Sequence, residues 1–65
     1  MRKNPIELGT RFYDERNGRY ITPDGVGVDP RCYSCIVEEF DEDGELVVSD
    51  RLLFMEYELR HFERR

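Results

Sequence analysis

A 65-residue chain with a net charge of −5 forms one small domain, and a chain this short buries only about 60% of its unfolded surface. Eight aromatic residues (four Phe, four Tyr) are spread along its length, which argues against a disordered tail. The longest uncharged apolar run, Leu52-Leu53-Phe54-Met55, is far too short to span a membrane. Asn4-Pro5-Ile6-Glu7 interrupts any secretion signal after the basic Met1-Arg2-Lys3. The expectation is a soluble, cytoplasmic single domain over residues 1–65, with no membrane partner and with its two cysteines reduced.

Charge position says more than charge total. Glu38, Glu39, Asp41, Glu42, Asp43 and Glu45 lie together with no Lys or Arg among them. The other nine acids face ten bases, so a nearly neutral body carries one acidic element. Nine of the ten bases are Arg, which favours fixed, bidentate pairing over loose solvation.

Residues 1–10 read as a lead-in punctuated by Pro5 and Gly9. In 11–22, Asn17-Gly18 separates two aromatic-containing runs and predicts a hairpin with both turn positions at positive φ. With a two-residue loop, Phe12 and Ile21 share one face and Tyr13 and Tyr20 the other. Pro23-Asp24-Gly25 and Asp29-Pro30 bracket Val26-Gly27-Val28, leaving a loop or a very short edge strand. No phosphate-binding loop is present, because the Gly-rich stretch leads to another strand and not to a helix.

A second hairpin is expected over 33–48. Tyr33 to Phe40 is its central-strand candidate. A three-residue loop, Glu42-Asp43-Gly44 with the Gly left-handed, pairs Phe40 with Leu46 and Glu38 with Val48. That register gathers Ile36, Phe40, Leu46 and Val48 on one face, and is preferred to a two-residue turn at Asp43-Gly44. Ser49-Asp50 then offers an N-cap, and 50–64 reads as a helix. Leu52, Met55, Leu59 and Phe62 follow helical spacing, and Glu56 precedes Arg60 by four residues, as a helical ion pair does. The same segment also alternates like a strand, with Leu53, Met55, Tyr57 and Leu59 against Phe54, Glu56, Glu58 and Arg60. Caps and propensity favour the helix. The fold class is therefore α+β or mainly β: a small bent antiparallel sheet or SH3-like barrel of four to five short strands, from two hairpins, with a C-terminal helix.

Few residue groups carry chemistry. Cys32 and Cys35 are weak zinc candidates, since a site needs four ligands and His61 is the one histidine. A redox pair belongs at a helix N-terminus, whereas this pair enters a strand, where positions three apart point to opposite faces and leave one thiol buried and one exposed. Asp41-Glu42-Asp43-Gly44-Glu45 lacks the ligand spacing of a calcium loop. His61 reads as a helix-surface residue, and no nucleophile or catalytic dyad is evident. No cofactor or enzymatic activity is expected.

The leading expectation is a non-enzymatic interaction module, an adaptor or inhibitor. Its acidic hairpin, through Glu38, Glu39, Asp41, Glu42, Asp43 and Glu45, would meet a basic partner surface. An anti-CRISPR-like nucleic-acid mimic from a phage or mobile element is one specific version. A second possibility is an SH3-like nucleic-acid binder using Arg11, Tyr13, Arg16, Arg19 and Tyr20, although a pI near 4.8 argues against nucleic acid. A third is a homodimer packed through Leu52, Met55, Leu59 and Phe62.

Overall fold

The computed structural model describes residues 6–28 and 31–65, so residues 1–5 of the lead-in and Asp29-Pro30 lie outside it. Five strands and one helix follow in order: β1 (Phe12–Asp14), β2 (Arg19–Val26), β3 (Cys32–Phe40), β4 (Leu46–Met55), α1 (Glu56–His61) and β5 (Glu63–Arg64). The strands form one antiparallel sheet in the order β4-β3-β2-β1-β5. It stays open, with β4 and β5 as free edges.

The first hairpin forms where Asn17-Gly18 placed it, with Phe12 opposite Ile21 and Tyr13 opposite Tyr20. Its loop is longer than the predicted two residues. Asp14 pairs with Arg19, and only Gly18 has positive φ, at 61°; Asn17 does not. The Asp14 carboxylate decides this. It accepts the Asn17 backbone N–H at 3.4 Å, Asn17 Nδ2 at 2.8 Å and Arg19 Nε at 3.1 Å. An aspartate bonded to the backbone three residues on closes a longer turn. Because the register shifts by two residues and not by one, the predicted faces survive.

β2 runs on through Val26, past a bulge at Pro23–Gly25, so Val26 ends a long strand and does not form one of its own. In the second hairpin Phe40 pairs with Leu46, and Gly44 has φ 82°, as the three-residue loop requires. A bulge then shifts the register, so Glu38 faces Ser49 and not Val48. The bulge moves Val48 off the face shared by Ile36, Phe40 and Leu46. That shared face is also not the core side of β3, where Tyr33, Cys35 and Val37 are buried instead.

The expected helix at 50–64 is the principal correction. β4 continues through Met55, pairing residue by residue down to Cys32, and α1 keeps only Glu56–His61. Ser49-Asp50 caps no helix; Asp50 Oδ1 only accepts the N–H of the next residue, Arg51, at 2.8 Å. Had the chain turned helical at Asp50, most of β3 would have lacked a neighbour on that side, leaving backbone groups to be satisfied elsewhere. The strand-like alternation wins because it satisfies them.

α1 is anchored by the Glu56 N–H on the Arg31 carbonyl at 2.7 Å, and Glu58 reaches back to the Met55 N–H at 2.9 Å. The predicted Glu56–Arg60 ion pair forms at 3.2 Å. Leu59 is fully buried in a core with Ile6, Phe12, Ile21, Tyr33, Cys35, Val37 and Phe54. The four-residue stripe proposed for a helix–helix dimer is thus split between β4, α1 and the residue after it, with Leu59 spent on the chain's own core. Phe62 is extended and leads into β5, which pairs with β1. All core residues and α1 lie on one side of the sheet. No described element packs on the other side, referred to below as the open face.

Candidate functional site

β2 pairs β3 only as far as Glu38. Beyond that point β3 and β4 have only each other as strand neighbours and form a short two-stranded arm, in a molecule whose principal extents are 43 × 21 × 18 Å. Every residue from Phe40 to Leu53 is exposed. Six of these are large and apolar: Phe40, Leu46, Val47, Val48, Leu52 and Leu53, from 37% exposed at Phe40 to 64% at Leu53. They do not form one patch: Phe40, Leu46 and Leu53 lie on the open face, while Val48 and Leu52 pair with Glu39 and Cys35 and lie on the core side.

The arm also carries the six acidic residues, although the fold divides them. Asp41, Glu42, Asp43 and Glu45 cluster at the tip, while Glu38 and Glu39 project to opposite faces. Asp41 is partly structural. Its Oδ1 accepts the backbone N–H groups of Asp43 and Glu45, each at 2.9 Å, and its carbonyl accepts the Gly44 N–H at 3.0 Å. The loop thereby holds the other tip carboxylates outward.

Beside the arm, the open face carries an aromatic row. Tyr13 and Tyr20 lie 4.9 Å apart, and Tyr20 meets Phe40 edge-on at 5.8 Å. The Arg11 guanidinium sits 3.9 Å over Tyr20, and that of Arg65 sits 4.3 Å over Tyr13. Arg65 also bonds Glu63 at 3.2 Å. Further along, Arg51 bonds Asp24 at 2.7 Å and Ser34 at 3.1 Å, and that bond holds the Asp24 carboxyl below its ordinary range. A groove of about 500 Å³ between the two hairpin turns is lined by Arg11, Tyr20, Phe40, Asp41 and Glu42, among others.

The set expected for nucleic-acid stacking is only partly assembled. Arg11, Tyr13 and Tyr20 share the open face. Arg19 instead lies on the core side, bonded to Asp14 and 5.7 Å over Phe54, and Arg16 stands in the exposed first turn. Phe40 and Arg65 complete the row and were not singled out. Alternation along β3 would have found Phe40, but nothing in the sequence says that β5 returns to β1.

Both cysteines are buried, contrary to the expectation of one exposed thiol; the Gly27 backbone lies directly against the Cys32 side chain. Cys35 donates to the Tyr33 carbonyl at 3.6 Å, and burial pushes its thiol up to about 11, the inert form. Among the described residues no three His, Cys, Asp or Glu side chains converge as metal ligands, and no helix is long and apolar enough to cross a membrane. His61 is exposed, in a cleft of about 630 Å³ against the first turn. Three ionic groups there, Asp14, Arg19 and Glu58, are already engaged within the fold. No protein-family model, curated protein or solved structure matches the chain.

Proposed function

We propose that this chain is a non-enzymatic protein-interaction module whose β3–β4 arm engages a partner with a basic surface. The supporting observation is a run of fourteen consecutive exposed residues, Phe40 to Leu53, which forms the arm and the outer strand leading back from it and mixes apolar side chains with the tip carboxylates. The apolar residues supply burial on contact. The carboxylates steer a basic partner and set orientation, and their mutual repulsion is relieved on binding. The helix that returns β5 to β1, beside a meander of β1 to β4, also suits an SH3-like reading of the fold, without adding to the functional argument.

The test is capture of partners from a native-host extract by the tagged chain and by a six-site variant. That variant carries Glu38→Gln, Glu39→Gln, Asp41→Asn, Glu42→Gln, Asp43→Asn and Glu45→Gln. Asp41→Asn keeps an acceptor oxygen for the loop amides, so the hairpin survives. The expected result is a partner held by the native chain, released by salt and lost with the variant. Equal capture by both would refute the reading.

A further inference from the structure

We propose, resting on that reading, that the groove between the two hairpin turns receives an arginine side chain of the basic partner. Its guanidinium would lie on the exposed ring face of Phe40 and direct its N–H groups at Glu42 and Asp41. The chain's own arginines point to this. An energetically significant cation–π contact occurs about once per 70–80 residues, yet this one face holds two close ones, Arg11 on Tyr20 at 3.9 Å and Arg65 on Tyr13 at 4.3 Å. The aromatic row is already a guanidinium-stacking surface, and Phe40 is the ring in it with the most distant guanidinium, that of Arg11 at 6.0 Å. Phe40 is 37% exposed, Tyr20 touches it edge-on at 72°, and Arg11 stands 6.0 Å off, centred on Tyr20 instead.

The charges around the slot suit a cation. Asp41 and Glu42 share its wall against Arg11 alone, and Glu38 lies beside Tyr20 on the same face. The loop bonds use Asp41 Oδ1, leaving Oδ2 to accept. Arginine fits better than lysine, because a flat guanidinium stacks on a ring while its edge donates to two carboxylate oxygens.

The experiment titrates the whole chain with octa-arginine and octa-lysine peptides of equal charge, by calorimetry and amide NMR. Octa-arginine binds about two- to fivefold tighter, the worth of an exposed cation–π contact, and shifts the Phe40, Glu42 and Gly44 amides. Phe40→Leu, which keeps an apolar side chain but removes the ring, erases that preference. Glu42→Gln weakens both peptides. Equal affinity for the two peptides, no binding of octa-arginine, or an unchanged preference in Phe40→Leu would each overturn the slot. The broader reading has a separate fate. It stands if charge neutralisation still abolishes partner capture, and falls if it does not. Circular dichroism of each variant confirms the fold.

Discussion

Replacing Asp14 with alanine removes one acceptor from three donors at once. Asp14 is only 4% exposed, and its carboxylate holds the first turn through Asn17 and the start of β2 through Arg19. Hydrogen bonds to a charged group contribute about 1.5–3 kcal/mol each, but the Asn17 backbone contact is long and the Arg19 side chain is partly solvated. A combined loss of about 2–4 kcal/mol follows. A chain of this length has roughly 3–10 kcal/mol in total, and each kcal/mol moves the melting temperature of a small domain by about 4–8 °C. The variant therefore melts some ~10–25 °C lower. The pH dependence gives a second reading. Burial alone would raise the Asp14 carboxyl, but the bonds from Asn17 and Arg19 outweigh it and hold it below its ordinary value. A depressed carboxyl stabilises the fold fully above its unfolded pKa of about 3.9, and that stability is lost as pH falls through the lower folded value. Urea melts should thus show a wide gap between native and Asp14→Ala chains at neutral pH, narrowing below about pH 4. A gap under about 0.5 kcal/mol at neutral pH, or one unchanged in acid, would refute the argument.

Three further predictions concern the core, the thiol and the arm. Leu59→Ala empties a fully buried site and should cost about 2–5 kcal/mol in a urea melt; an unchanged midpoint would mean that α1 is not docked. With its thiol raised to about 11, Cys35 should resist iodoacetamide at pH 8 until denaturant is added, and prompt labelling of the native chain would contradict its burial. Gly44→Ala meets no atom within 4 Å but must adopt φ +82°, so strain alone should cost about 1–2 kcal/mol. Gly44→Asn, which tolerates that conformation better, should recover part of the loss in the same denaturation assay.

Short-range chemistry proved readable. Asn17-Gly18 and Asp43-Gly44 marked both turns, because a left-handed glycine and an aspartate that bonds the backbone ahead of it act within four residues. The Phe40–Leu46 pairing followed from the loop, and the Glu56–Arg60 ion pair from helical spacing. The faces of Phe12, Ile21, Tyr13 and Tyr20 in the first hairpin were also legible, since only a one-residue slip would have reversed them. The choice between helix and strand at 50–55 was not legible. Leu52 to Met55 satisfies both periods, and the decision rests on β3, whose backbone would otherwise lack a partner there.

The functional surface divides along the same line. The sequence alone placed six carboxylates in one hairpin and paired Tyr13 with Tyr20 near Arg11, because those relations are local. The fold decided that the end of the second hairpin extends beyond its last strand pairing with β2 and faces the first turn across a groove, since that depends on where β2 stops along β3. It sent Arg19 to the core side through Asp14, and it brought Phe40 and Arg65, distant in sequence, into one aromatic–guanidinium row. Strand neighbours far apart along the chain create that row, and no local pattern specifies them.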